Sequence, residues 1–193
     1  MLATSGRPPG GLDGWVVEPK LDGWRSIDST GAGKLTVRTR NGRLITDCVP
    51  ELEPLAEGPE VVLDGELIVG AGRLADFYRL SGRMAGRPRA GSETVLFVAF
   101  DLLRHEGDLL IDRPYIERRR RLEVLGLGLG QVVPSYDAVM VDDLLAACET
   151  QGMEGVVLKR ANSTYRPGRR STDWRKLKCA GWREHLNARR RRS

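Results

Sequence analysis

Cysteine and histidine are scarce in this 193-residue sequence, with three and two residues, and aromatic side chains make up only 6%. Cys48, Cys148 and Cys179 are odd in number, far apart and free of any CxxC spacing, so neither a disulfide framework nor a zinc site is expected. The two histidines, His105 and His185, sit in polar surroundings and read as surface residues. No stretch is apolar for the length that a membrane-spanning helix needs, and the N-terminus lacks the charged-then-apolar order of a signal peptide. These absences lead to the expectation of a soluble cytoplasmic protein with no membrane partner. What is present is a hydrophobic fraction of 40%, enough for a core, and a charged fraction of 30%. The net charge of +5 favours an anionic partner such as a nucleotide or nucleic acid. Part of that excess lies in two runs, Arg118–Arg121 and Arg189–Arg192. The first reads equally as a solvated helix face or as something more specific, and the second as a disordered tail.

Along the chain, residues 1–14 are rich in glycine and proline and read as a loose lead-in. Trp15–Lys20 is expected to be a short strand that delivers Lys20 to its end, Asp22-Gly23 a turn, and Trp24–Asp28 a strand in alternation. With Lys34–Arg40 and the Asn41-Gly42 turn, this opening reads as one antiparallel meander. Val49–Ala56 suits a helix, Val61–Val69 a buried strand, Leu74–Arg83 a helix and Gly86–Gly91 a basic loop. Thr94–Leu103 reads as another buried strand, Arg113–Leu125 as a helix opened by Pro114, and Gly126–Gly130 as flexible. Val132–Tyr136 suits a short strand, and Asp142–Gln151 a helix with an aspartate cap and Gly152 at its end. Glu154–Arg160 and Trp174–Cys179 read as strands separated by a loop over Asn162–Asp173. The mixture indicates an α+β domain of antiparallel sheets rather than a doubly wound one.

Two stretches carry charge where a plain strand would be apolar. Val61–Val69 is interrupted by Asp64-Gly65-Glu66, and two carboxylates in a buried strand require a cation to meet them. Glu18-Pro19-Lys20-Leu21-Asp22-Gly23-Trp24-Arg25 places one lysine among acids and an arginine. A lysine acts as a nucleophile only without its proton, a state that burial and neighbouring cations favour. Glu66 and Glu154 suit a divalent metal or a ribose hydroxyl, or a structural ion pair with the lysines. Phe100 suits the face of a flat base, or the core. Lys176 and Lys178, two residues apart on one strand, point to the same face and suit a grip on phosphate oxygens. The set describes attack of a lysine on a nucleotide phosphate.

The ordered segments EPKLDGWR, TRNG, LDGEL, FVAFDLL, EGVVLKR and WRKLK resemble the nucleotidyltransferase motifs of ATP-dependent DNA ligases, especially bacterial ligases of the end-joining kind. The resemblance covers about Glu18 to Lys178. It implies two antiparallel β-sheets flanked by helices, the fold of a ligase adenylation domain. It implies Lys20 as the nucleophile toward ATP, Glu18 facing the adenine amino group, Arg25 and Arg40 on ribose and phosphates, and Glu66 on the ribose. It further implies Phe100 stacked on adenine, Arg170 as another ATP contact, and Lys176 with Lys178 on the α-phosphate. Glu154, with Glu66, would hold Mg²⁺ or Mn²⁺, and Asp22 and Gly23 would shape the loop after the nucleophile.

The expected organisation is an adenylation domain over residues 1–180 and a basic tail over 181–193. Only Cys179–Ser193 follows the last motif, too short for the five-stranded OB-fold barrel of a full ligase. The expected partner is nicked double-stranded DNA, with a separate protein supplying the clamp, and the expected state is a monomer. Three other readings stay open at this point. One is a nucleotide- or DNA-binding module with impaired chemistry, another an RNA ligase of the same superfamily, and the third a lysine enzyme working through a Schiff base.

Overall fold

The computed structural model describes residues 1–84, 93–127 and 131–182. In chain order the strands are β1 (Leu2–Ser5), β2 (Trp15–Lys20), β3 (Trp24–Gly31), β4 (Lys34–Thr39), β5 (Val61–Ile68), β6 (Leu96–His105), β7 (Asp108–Leu109), β8 (Gln131–Val132), β9 (Tyr136–Asp137), β10 (Gly155–Arg160) and β11 (Arg170–Lys178). The α-helices are α1 (Leu74–Met84), α2 (Tyr115–Glu123) and α3 (Val141–Thr150). Among the described residues no helix is long and apolar enough to cross a membrane. The fold is α+β with two sheets, as expected, and the chain divides into two compact units. The expected basic loop at Gly86–Gly91, the last three residues of Gly126–Gly130, His185 and the arginines Arg189–Arg192 lie outside the described residues.

The first unit comprises Met1–Leu21, Pro134–Ala161 and the described residues from Arg166 onward. Its sheet runs β1-β11-β10-β2-β9. β10 pairs antiparallel with both β11 and β2, and the apolar residues Val17, Val156 and Leu158 are buried with Val141 and Cys148 of α3. The supposed lead-in is in part a strand: β1 lies parallel to β11, with Leu2 opposite Arg170. Its four residues are too few to show a period, and the partner that makes them a strand is almost the whole chain away. That partner also starts early, because β11 begins at Arg170 rather than Trp174. Asp142 lies in the first turn of α3 but does not cap it. The capping aspartate is Asp137, whose carboxylate accepts from the Val139 N–H at 2.9 Å and opens a 3₁₀ turn over Ala138–Met140.

The second unit comprises Asp22–Val133 and Asn162–Tyr165, with sheet order β4-β3-β5-β6-β7 and β8 beside β6. The expected opening meander is therefore corrected, since β2 belongs to the other sheet and the meander starts at β3. The expected strand Val132–Tyr136 is also corrected. Pro134 has no N–H to give, and the run splits into β8, parallel to β6, and β9, antiparallel to β2. Pro50–Glu57 is a 3₁₀ rather than an α-helix, with Pro54 inside it. The core gathers Leu52, Leu63, Leu67, Phe97, Leu102 and Leu122 among others. In β3 the inward residues are polar: Ser26, Asp28 and Thr30 are buried, while Arg25, Ile27 and Ser29 are half-buried.

Candidate nucleotide-binding residues

Most of the charged residues singled out in the sequence fall into one cluster in each unit. In the first unit the cluster is built around Gly155. In register, Gly155 stands opposite Lys20 of β2 on one side and Lys178 of β11 on the other. A Cβ here would lie 2.0 Å from the Leu177 carbonyl oxygen, and the φ of +150° favours glycine, so no other residue fits between these strands without moving one. The close approach sets the preceding residue, Glu154, within reach of both lysines. Its carboxylate forms ion pairs with the Lys20 ammonium through Oε2 and with the Lys178 ammonium through Oε1, the latter at 2.9 Å. The Glu154 backbone carbonyl accepts from the Cys179 N–H at 3.0 Å, which fixes the strand ends.

Glu154 is 5% exposed. Burial alone would raise its pKa, but the charges and hydrogen bonds of Lys20 and Lys178 outweigh that and hold it below the usual carboxylate range. Lys176 occupies the same face of β11 as Lys178. It is pushed below the usual lysine range, first by burial and then by Lys178, Lys20 and Arg170, against an opposing pull from Glu154. Three lysines gathered on one carboxylate leave a net positive face made for a polyanion.

Glu18, also on β2, is buried and pairs with a different lysine. Its Oε2 is 2.7 Å from the Lys159 Nζ, which lies 4.4 Å from the centre of the Trp174 ring. Trp174 is thus a cation–π partner of Lys159. Arg170, at the start of β11, is exposed and donates to the Ala3 carbonyl of β1.

In the second unit Arg25 of β3 meets Asp64 of β5. The guanidinium donates from Nε to Oδ1 at 2.8 Å and from Nη2 to Oδ2 at 2.5 Å. Arg25 also lies 5.4 Å from the centre of the Phe100 ring, so two of the expected nucleotide contacts are brought together. Burial works against the charge on Arg25, but Asp64 outweighs it and holds its pKa above the ordinary value. Phe100 owes its place to a bulge: Asp64 pairs with Asp101 and Gly65 with Ala99, which leaves Phe100 as the extra residue of β6. Gly65 permits this geometry because a Cβ there would lie 2.3 Å from the Phe97 ring.

Glu66 accepts from the Gly23 N–H at 3.1 Å. Gly23 itself cannot carry a side chain, since a Cβ would stand 2.2 Å from the Leu67 carbonyl oxygen. Asp22 is half-buried and its N–H donates to the Gly72 carbonyl at 2.9 Å. Both residues are thereby tied to the chain around β5, in keeping with a loop-shaping part. Arg40 is exposed in the turn after β4 and joins neither cluster.

Reasoning from sequence missed Lys159, the partner of Glu18, Tyr165, whose hydroxyl donates to Asp64, and the full importance of Asp64 itself. The interruption of an apolar strand by Asp64 was a visible signal that a cation had to meet it. Tyr165 gave no signal, standing in what looked like an ordinary loop.

Over most of its length the chain is similar to known proteins. Residues 11–178 match the family model described as the ATP dependent DNA ligase domain. The chain is 41% identical over 182 residues to the multifunctional non-homologous end joining protein LigD of Pseudomonas aeruginosa, covering 90% of this chain and 21% of that protein. It is 36% identical to the protein of the same name from Mycolicibacterium smegmatis, covering 88% of this chain and 23% of the other. The chain thus spans about a quarter or less of the length of these relatives. Among solved structures, a mycobacterial DNA ligase D complexed with ATP and MES superimposes with a TM-score of 0.76 at 34% identity, over 92% of this chain and 58% of that one. On the match over residues 11–178, this chain belongs to the ATP-dependent DNA ligase domain family.

Proposed function

We propose that the chain is the adenylation domain of an end-joining DNA ligase, placed at residues 1–180 with a basic tail over 181–193. The observation that carries this reading is the pairing of Lys20 and Lys178 with one buried glutamate, Glu154, beside Lys176. ATP brings phosphate oxygens that compete for the ammonium groups of Lys176 and Lys178. The Lys20 amine, once it has lost its proton, attacks the α-phosphorus of ATP. A phosphorus–nitrogen bond forms, the bond to the bridging oxygen breaks, and pyrophosphate leaves with that oxygen. AMP then passes from Lys20 to the 5′-phosphate of a nick. The adjacent 3′-hydroxyl displaces AMP and closes the strand.

In this reading Glu18 faces the adenine amino group and Phe100 its ring, Arg25 and Arg40 meet ribose and phosphates, and Glu66 the ribose. Arg170 is an outer contact to the triphosphate. The donor chemistry of Glu154 and Glu66 suits Mg²⁺ or Mn²⁺. Both are hard oxygen donors, and the charges and hydrogen bonds of Lys20 and Lys178, against the effect of burial, keep Glu154 ionised. Among the described residues no three acidic, histidine or cysteine side chains gather as a ready cage, so a cation held by either glutamate would draw its other ligands from phosphate and water oxygens. A bound cation would supply positive charge to offset that developing on the departing pyrophosphate.

The test is incubation of the purified chain with ATP and Mg²⁺ or Mn²⁺, an intact mass, and then addition of a duplex with a 5′-phosphorylated nick. Expected are a gain of one AMP, its reversal by pyrophosphate, and its discharge onto the nicked strand. Binding of ATP and nicked DNA with no adduct under either metal would favour a binding module. Discharge onto an RNA nick alone would favour an RNA ligase.

A further inference from the structure

The four consecutive arginines of α2 are not a uniform face. Arg118 is fully buried and Arg119 is 5% exposed, whereas Arg120 lies open to solvent. Arg118 makes a forked pair with Asp101 of β6, Nε to Oδ1 at 2.7 Å and Nη2 to Oδ2 at 2.8 Å. Its Nη1 donates to the carbonyls of Arg113 at 2.6 Å and Ser163 at 3.1 Å. The Ser163 carbonyl also accepts from the Tyr115 N–H at 2.8 Å, and the Tyr165 N–H donates to the Ile111 carbonyl at 2.7 Å. Arg118 and the start of α2 therefore fasten the short segment Asn162–Tyr165 to the sheet.

The consequence of that fastening is seen at Tyr165. Its hydroxyl donates to Asp64 Oδ2 at 2.7 Å, the same oxygen that receives Nη2 of Arg25. The Arg25 Nη2 also reaches the Tyr165 hydroxyl at 3.4 Å. Arg118 stands 5.9 Å from the centre of the Tyr165 ring. Tyr165 is 4% exposed and Asp64 fully buried, so solvent cannot replace the hydroxyl if it is removed.

We propose that Tyr165 and Arg118 are positioning residues for the nucleotide-contacting Arg25, acting through Asp64. The relay runs from Asp101 to Arg118, to the segment carrying Tyr165, to Asp64 and so to the guanidinium held over Phe100. It rests on the reading above that Arg25 contacts the nucleotide. An arginine has many rotamers, and one held by two hydrogen bonds to a fixed carboxylate meets its ligand without having to be ordered first. The Tyr165 hydroxyl fixes the plane of that carboxylate. Without it Asp64 can turn, and Arg25 with it. The tetra-arginine run thus contributes a strut rather than a surface.

The experiment is a double-mutant cycle on ATP affinity, measured by isothermal titration with the full chain. The proteins are the wild type, Tyr165→Phe, Arg25→Ala and the double variant. Tyr165→Phe keeps the ring and its packing and is expected to weaken ATP binding roughly tenfold. In the Arg25→Ala background the same change is expected to have almost no effect, because what it positions is gone. Arg118→Lys, if it folds, is expected to show the same dependence on Arg25. A loss from Tyr165→Phe that is equal with and without Arg25, or no loss at all, overturns the proposal while leaving the nucleotide reading standing. A wild type that binds no ATP removes the nucleotide reading, and the proposal with it.

Discussion

Asp64 and Asp28 lie on neighbouring strands of one sheet, and both are sealed from solvent, at 0% and 1% exposure. Their surroundings differ completely. Asp64 receives two N–H groups from Arg25 and the hydroxyl of Tyr165. Asp28, on the core face of β3, has neither carboxylate oxygen in a hydrogen bond among the described residues. Burial pushes its pKa up to about 7, with a smaller lowering by the Ser26 hydroxyl and a smaller rise from the charge of Asp64. Burial alone therefore does not decide what a carboxylate does in this sheet. With partners it is a fixed anion that can aim an arginine. Without them it is an acid held near neutrality at a cost to the fold.

The sharpest way to break the comparison is to take the partner from a paired acid. Arg118→Ala strands Asp101 as a buried, uncompensated charge, and is expected to cost about 3–5 kcal/mol of unfolding free energy in urea titrations. A loss below 1 kcal/mol would mean that the pair is not a structural strut.

Asp28 sharpens the other side. Its folded pKa is raised from 3.8 to about 7, so the unfolded chain gives up the proton first as pH rises. The stability contributed by its protonated form is whole below about pH 4 and is lost as pH climbs through about 7. Asp28→Asn cannot ionise, and at pH 8 is expected to be more stable than the wild type by about 4 kcal/mol, the rise of roughly three pH units taken at about 1.4 kcal/mol each. At pH 4 the gain should vanish. Equal gain at both pH values would contradict the assignment.

The smallest effect is expected at Arg120→Ala. This arginine is exposed on the same helix as Arg118, and its removal should change stability by less than about 0.5 kcal/mol. Two residues apart in one run, the two arginines should thus differ by several kcal/mol, on the order expected from burial.

That contrast also marks how far the sequence could be read. Lys20, Glu154, Lys176 and Lys178 were legible because charge at the end of an apolar strand has few structural uses, and the structure gathers all four. Gly23 and Gly155 were legible only as parts of motifs, and their steric reason needed the facing strands. The run Arg118–Arg121 was ambiguous because a helix turns about 100° per residue, so neighbours in sequence point to different places. The two sheets were legible, but not the separation of β2 from β3, which share a sequence pattern and not a sheet. The inward placement of Ser26, Asp28 and Thr30 was not legible, since their polarity gives no sign that they face the core. Tyr165 was invisible, since its partner Asp64 is 101 residues away.

The central claim is that the lysine paired with Glu154 at the end of β2 is the group that takes AMP. The direct measurement is peptide mapping by tandem mass spectrometry after incubation with ATP and a divalent cation, on the wild type and on Lys20→Ala. The account predicts AMP on Lys20 through a bond labile to acid, and none anywhere on Lys20→Ala. AMP found on Lys176, Lys178 or Lys159, or an adduct that persists in Lys20→Ala, would contradict it.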